Sequence, residues 1–418
     1  MVNMVTLINK QLPPELVSLL RLAGETASQQ GQKLCLVGGV VRDLLLERAN
    51  LDLDLVVEGN AIELAQALVQ TRPGKLTPHP RFGTAKIQWP EWSFDLATAR
   101  SETYARPGAL PTVKPGSIND DLFRRDFTIN AMAVHLDPDH YGETLDLYGG
   151  REDLQSRLIR VLHNRSFTDD ATRIWRALRY EQRLDCRLER NTHKLLTRDA
   201  IMLETISGDR IRHELELIFK EELPEKIIYR AEELGVLSQL HPALRGNSEL
   251  AELYNRARNL TTPSPPPAAL YLALLIYPLN SQELEKLIVR LRLPKPLAVT
   301  LRDTISIADR TEPLQDPVLT PSRIHQLLQG HAPLAINAGL LATDSSVARR
   351  HIRLYRDKLR YMRTTLTGDD LISMGIPAGP DLKTIMERLL AAKMDGEVTS
   401  RREEEGMVKG LLSSISGQ

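Results

Sequence analysis

LDLDLVV, residues 51–57, sets two aspartates into a run of apolar side chains. Strict alternation is the pattern of a β-strand, whose side chains face opposite ways at period two. The spacing predicts Leu51, Leu53 and Leu55 on one face, with Asp52 and Asp54 on the other. The strand therefore holds two like charges about 6–7 Å apart at Cα. Such a pair is either an exposed face with two solvated acids or a seat for divalent cations, because carboxylate oxygens suit magnesium. In the second case, two metals can hold the attacking and leaving oxygens of a phosphoryl transfer.

The neighbours of this strand bear on the choice. LCLV (34–37) reads as a strand, Gly38 and Gly39 as a turn, and VVRDLLLE (40–47) as a helix. Glycines here allow close backbone approach, and N–H groups at the helix start can hold phosphate oxygens, with Arg42 adding charge in the first turn. Asp52 follows Gly39 by thirteen residues, so the two strands are expected as neighbours in one sheet. AIELAQALV (61–69) reads as a helix. TAKIQW (84–89) and WSFDLAT (92–98) read as an antiparallel pair turning near Pro90. After the Pro- and Gly-rich loop YARPGALPTVKPGSINDD (104–121), RRDFTINAMAVHL (124–136) leads from a loop or helix start into a last strand. These elements make an α+β domain ending near Gly150.

From Arg151 the pattern changes. The segments 169–184, 209–220, 225–240, 282–293, 322–330 and 384–394 all show i, i+3, i+4 apolar spacing, as amphipathic helices do. TTPSPPPAAL (261–270) is a Pro-rich joint. An α+β head followed by a long all-α remainder agrees with a length of 418 residues, too great for one ordinary core. A hydrophobic share of 42% with 26% charged residues excludes disordered and fibrous classes. The 54 basic and 54 acidic residues balance, which leaves nucleic acid open as a partner, because clustering decides. Cys35 and Cys186 are the only cysteines, so no disulfide framework and a cytosolic chain are expected. The N-terminal stretch, broken by Pro13 and Pro14, resembles neither a signal peptide nor a membrane span.

TDDATR (168–173) admits two readings. Thr168 with Asp169 and Asp170 makes a helix N-cap whose acids suit the dipole, and Arg173 is placed for i, i+4 and i, i+3 pairs with them. Alternatively, a carboxylate accepts a hydrogen bond from the exocyclic amine of adenine or cytosine while a guanidinium donates to ring acceptors, a pattern that refuses guanine and uracil. Arg173, Arg176, Arg179, Arg183 and Arg187 fall on one side of the expected helix, opposite Ile174, Trp175 and Leu178. This stripe is either a solvated face or a contact for RNA or nucleotide phosphates.

GG, a short helix and a strand of DLDL form resemble the DNA polymerase β-like nucleotidyltransferases. RRDFTINAMA (124–133), DLYGGREDLQSRLIRVL (146–162) and FTDDATRIWRALRY (167–180) narrow this to the class II tRNA nucleotidyltransferases and bacterial poly(A) polymerases. The specific motifs cover roughly residues 33–215. The resemblance implies a catalytic head (1–150), a helical neck that recognises the base (151–220), and a body and tail (221–418) that hold the acceptor and elbow of tRNA.

It also implies roles for individual residues. Gly38, Gly39, Arg42 and Asp43 would meet the triphosphate. Asp52 and Asp54 would hold Mg2+, with Asp95 a further strand-borne acid. Arg124, Arg125, Asp126 and Asn130 of RRDFTIN would handle ribose and phosphates. Asp169, Asp170 and Arg173 match the family's Glu-Asp-x-x-Arg template, Asp169 being one methylene shorter than Glu, and Arg176 and Arg179 continue it. The implied partners are tRNA, ATP and CTP. Relatives of this kind add CCA, CC, the final A, or poly(A), and the full-length loop before RRD favours adenosine addition. The distant alternative is a non-catalytic helical RNA-binding protein, against which the intact Asp pair speaks.

Overall fold

In a computed structural model describing residues 3–415, the alternation begins later than the sequence pattern suggests. Strand β1 (Lys33–Val37) pairs antiparallel with β2 (Leu53–Glu58), Leu36 opposite Leu55. Leu51 precedes the strand and is 47% exposed, so it does not share the face of Leu53 and Leu55. The cause is local: the Asn50 side chain accepts from the Asp52 N–H at 2.9 Å and turns the chain before the ladder starts. Leu53, Leu55 and Val57 are buried under helices α1 (Met4–Gln11) to α4 (Ala61–Thr71), with α2 Pro14–Gln29 and α3 Gly39–Leu45. Burying each contributes about 1.5–3 kcal/mol. Two like charges at this spacing near a surface repel by about 1–3 kcal/mol, so the apolar face wins and the strand tolerates the acids.

Five more strands complete a sheet of order β3-β4-β5-β2-β1-β8-β9: β3 (Lys75–His79), β4 (Thr84–Gln88), β5 (Ser93–Thr98), β8 (Ala133–His135) and β9 (Thr144–Leu145). Between β5 and β8 the chain forms a separate hairpin, β6 (Arg100–Thr103) with β7 (Thr112–Pro115), and then α5 (Ile118–Phe123). The β4–β5 pair is antiparallel, as expected, while β2 and β5 run parallel. On the second sheet face Val56 joins Cys35, Val37, Ala99, Ile118, Leu122 and Ala133, a small cluster under α5. The same face holds Asp54, so α5 roofs one half of it and leaves the other half for chemistry.

The neck follows as α6 (Gly150–Gln155), α7 (Ser166–Asp169), α8 (Thr172–Arg183), α9 (Arg190–Asp199) and α10 (Gly208–Ile218), with the short parallel strands β10 (Leu158–Ile159) and β11 (Arg187–Leu188). Residues up to Glu221, with Glu233–Gln239, form one unit; Glu222–Glu232 and the chain from Leu240 form another. Sheet and neck therefore share a unit, with no division at Gly150. The second unit is helical, with apolar clusters around Ile324, Ile336 and Ile352 and around Leu371, Leu389 and Val408. Among the described residues, no helix is long and apolar enough to cross a membrane, and both cysteines are free thiols.

Candidate active site

Sheet register brings the acids together. Asp54 on β2 lies beside Asp95 on β5, and Asp95 lies opposite Lys86 on β4, whose Nζ is 2.8 Å from Asp95 Oδ2. Loss of water around the Asp54 carboxyl raises its pKa; Asp52, Asp95 and Asp121 add to the rise and Arg125 opposes it. A carboxyl whose ionisation is opposed by lost hydration first and by neighbouring acids second, and which offers hard oxygen donors, fits a divalent cation. Asp95 is committed to Lys86, and among the described residues no group of three acid, imidazole or thiol side chains is placed to hold one ion. That leaves Asp52 and Asp54 as the candidate donors on this strand.

Gly38 has φ of 79°, and a Cβ there would lie 2.6 Å from Arg125 Nη1 and 3.8 Å from Asp54 Oδ2. The glycine lets the guanidinium lie against the turn. Ser117 and Asp120 form a capping box that starts α5 and turns Asp121 inward. Fully buried Asp121 then anchors Arg124 (2.6 Å) and Arg125 (3.0 Å), and Arg124 also reaches Glu102 at 3.2 Å. A cavity of about 370 Å³ contains Asp54, Lys86, Asp95, Arg124 and Arg125. A larger one of about 600 Å³ shares Arg124 and Arg125 and adds Tyr104, Asp126, Asp170, Arg173, Arg176 and Arg210.

Asp126 links the RRD motif to the neck. Its Oδ2 accepts from Arg176 Nη2 at 2.6 Å and Nε at 2.8 Å, and its Oδ1 from Asn130 at 3.0 Å. Burial would raise this carboxyl, but Arg176 and Asn130 override it and hold the pKa at about 2. Arg42 and Asp43 do not line either cavity. Arg42 is buried, donating to Asp43 (2.8 Å) and to Asn130 Oδ1 (2.7 Å), and Asp43 accepts from Asn50 (2.7 Å). Because Asn50 also receives the Asp52 N–H, the pair braces the turn before the acids against the RRD loop. Gly39 starts α3 beside the Arg42 guanidinium.

The TDDATR segment departs from the sequence reading. α7 ends at Asp169, and Asp170 accepts from Thr172 N at 3.0 Å just ahead of α8, whose N-cap is Ala171 and not Thr168. Asp169 pairs with Arg165 at 3.3 Å instead of Arg173, and Asp170 Oδ2 with Arg210 at 2.7 Å. Arg173 donates to Ser166 Oγ (2.7 Å) and to the Arg124 carbonyl (2.6 Å). The break between α7 and α8 sends the two acids in different directions, which defeats the helical pairing.

The arginine stripe divides: Arg173 and Arg179 are buried and Arg176 is half-buried, while Arg183 and Arg187 are exposed. Arg176 and Arg179 lie 3.8 Å from Glu214 on α10, and Arg179 and Arg183 reach Glu221 at 3.4 and 4.0 Å. Arg187 is off the helix, on β11. Arg176 and Arg179 turn toward Glu214 of α10, and Glu221, just past the end of that helix, meets Arg179 and Arg183. Sequence reasoning missed Lys86, Glu102, Tyr104, Arg210 and Glu214; the only available signal was the acid spacing in 214–221.

Two family models match the chain: one described as poly A polymerase head domain, over residues 34–160, and one described as a probable RNA and SrmB-binding site of polymerase A, over 186–246. An A-adding tRNA nucleotidyltransferase of Geobacter sulfurreducens is 35% identical over 99% of this chain, which spans 49%, about half, of that relative's length. A CC-adding tRNA nucleotidyltransferase of Deinococcus radiodurans is 30% identical, over 91% of this chain and 90% of its own. Among solved structures, the Thermotoga maritima CCA-adding enzyme complexed with tRNA is 31% identical with a TM-score of 0.80, covering 98% of this chain and 99% of that one.

Proposed function

The chain belongs to the family of tRNA nucleotidyltransferases and poly(A) polymerases, and on that premise we propose that it adds nucleotides, AMP above all, to the 3′ end of tRNA without a nucleic-acid template. The observation that carries the reading is one wall, Arg124 and Arg125, shared by the carboxylate pocket and the larger cavity holding Asp170 and Arg173. The RNA 3′-hydroxyl attacks the α-phosphate of ATP or CTP, and pyrophosphate leaves. Mg2+ held by Asp52 and Asp54 would supply Lewis-acid stabilisation of the charge on the transferring phosphate. Arg124 and Arg125, fixed by Asp121, orient the phosphates and offset their charge. Asp170 accepts from the exocyclic amine of adenine or cytosine, and Arg173, set by Ser166 and the Arg124 carbonyl, donates to the ring. That support stands in for the template Glu that Asp169 replaces.

The head would carry catalysis, the neck base recognition, and the second unit the tRNA body, acting in the cytoplasm. The helix Ser346–Asp357 and the turn after it offer exposed Arg350, Arg353, Lys358 and Arg363 to a phosphate backbone. AMP is favoured over CMP by the A-adding relative and by the full-length loop between β6 and β7.

Purified protein with Mg2+, given ATP or CTP and either tRNA ending in CC, tRNA lacking CCA, or unrelated RNA, tests the reading. AMP should enter the CC-ended tRNA. No extension of that tRNA sinks the proposal, CMP entry into tRNA lacking CCA marks a full CCA enzyme, and long tails on unrelated RNA mark a poly(A) polymerase. Asp52→Ala with Asp54→Ala should cut transfer at least about 1,000-fold, the several kcal/mol that a metal clamp supplies, while tRNA still binds.

A further inference from the structure

Asp170 sits in the extended link between α7 and α8, yet three donors hold its side chain. Oδ1 accepts from the Thr172 N–H at 3.0 Å and the Thr172 hydroxyl at 2.7 Å, and Oδ2 accepts from Arg210 Nη2 at 2.7 Å. Arg210 Nη2 also donates to Thr172 Oγ1 at 3.4 Å, so carboxylate, hydroxyl and guanidinium form a closed ring. A carboxylate has about four lone-pair sites on its two oxygens. The ring occupies three of them and leaves one, on Oδ2 beside the Arg210 bond. Asp170, Thr172 and Arg210 all line the larger cavity.

Helix stability does not explain Arg210. It stands in the first turn of α10, where the helix dipole disfavours a cation. Its carboxylate partner lies forty residues earlier in the chain. The nearer charged groups are engaged elsewhere: Asp169 pairs with Arg165, and the Arg173 side chain donates to Ser166 and to the Arg124 carbonyl. Without Arg210, Oδ2 would have no partner holding it, and the aim of its free lone pairs would be loose. An acceptor that reads a base must hold its direction, because small errors of placement cost most of the interaction.

We propose that Arg210 is the positioning residue for base selection: it fixes the Asp170 carboxylate so that the one free lone pair on Oδ2 meets the exocyclic amine of the incoming nucleotide. The inference rests on the nucleotide-transfer reading and adds to it a residue of α10, outside the TDDATR segment. Arg210 acts through Asp170 and touches neither the base nor the phosphates.

The test compares ATP with purine riboside triphosphate, which is ATP without the exocyclic amine, in kcat/KM for extending tRNA that ends in CC. A hydrogen bond to a charged acceptor is worth about 1.5–3 kcal/mol, so wild type should favour ATP by roughly 10- to 150-fold. Arg210→Ala should lower kcat/KM for ATP at least about tenfold and for the analogue less than about threefold, so that the preference shrinks. Once Asp170→Ala is in place, adding Arg210→Ala should change either nucleotide by less than about twofold, because the cycle isolates what the two residues do together. Arg210→Met keeps the aliphatic stem and removes every donor, and gives the same comparison should the alanine variant fail to fold. Equal losses for the two triphosphates, a further loss in the double variant, or a wild type with no preference for ATP overturns the proposal. If wild type extends no RNA, the transfer reading fails, and equilibrium binding of ATP and the analogue to the same variants still decides whether Arg210 governs the amine contact.

Discussion

Arg176 faces two buried acids, and geometry gives them opposite energetics. Asp126 meets it through two hydrogen bonds of 2.6 and 2.8 Å, and its pKa sits at about 2. Glu214 approaches only to 3.8 Å, its Oε2 has no hydrogen-bond partner, and burial raises its pKa despite Arg176 and Arg179. Direct hydrogen bonds offset desolvation and mere proximity does not. Asp126 is depressed below the unfolded value near 3.9, so its stabilisation is present above about pH 4 and lost as pH falls toward 2. At about 1.4 kcal/mol per unit, Asp126→Asn should cost about 2–3 kcal/mol at neutral pH and flatten the acid limb of the stability profile. Glu214 is raised, so its contribution is present at low pH and lost as pH rises through its folded value; Glu214→Gln should be neutral or stabilising at pH 7. Denaturant midpoints measured from pH 2 to 8 check both, and an equal loss in the two variants removes the distinction. The sequence pointed to Asp126, but beyond the acid spacing in 214–221 it offered no sign of Glu214, since the Arg176 partner choice depends on the crossing of α8 and α10.

Elements were legible where burial alternates with the chain. β1, β2, β4 and β5 each bury a repeating apolar face, and their strand character was readable from LCLV, LDLDLVV, TAKIQ and SFDLAT. β3 and β7 are almost wholly exposed, so they carry no such pattern and were missed. The loop 104–121 was read as irregular, and its first part, 104–111, is the tip of the β6–β7 hairpin. Tyr104 and Pro111, at the ends of that tip, line the larger cavity. Gly108 seats it: φ is 71°, and a Cβ would lie 2.5 Å from the Thr205 carbonyl oxygen. Gly108→Ala should therefore lift the tip from Thr205 and reshape the wall beside Asp170. Small displacements of positioning groups can cost up to about 100-fold, so AMP incorporation should fall ten- to a hundredfold. Gly149→Ala is the control, because it shares φ of 71° but has no heavy atom within 4 Å of its Cβ position. It carries backbone strain of about 1–2 kcal/mol without displacing anything. Equal activity in the two variants argues that the tip has no part in nucleotide selection.

At the scale of the whole chain, a net charge of zero conceals a strong local excess. Residues 346–363, SVARRHIRLYRDKLRYMR, hold seven arginines and lysines against one acid, Asp357. The helix Ser346–Asp357 turns Ala348, His351, Ile352 and Tyr355 inward, which leaves Arg350 and Arg353 exposed. Tyr361 follows at 66% exposure with the Arg360 guanidinium 5.2 Å over its ring. Composition alone pointed to no partner here, because the basic cluster and the acids that balance it are far apart in sequence. Each phosphate contact adds about −0.7 to −0.9 to the slope of log affinity against log salt. Arg350→Glu with Arg353→Glu should weaken tRNA binding and make that slope shallower by about two units. The proposed catalytic residues lie in the other unit, so the ATP KM and the extension of a short hairpin ending in CC should be unchanged. Filter binding of tRNA from 50 to 300 mM salt gives the slope, and an unchanged slope means that this helix does not touch RNA. If the short hairpin loses as much as full tRNA, the cations grip the acceptor end and not the body of the molecule. The two substrates together therefore locate the contact along the RNA as well as establish it.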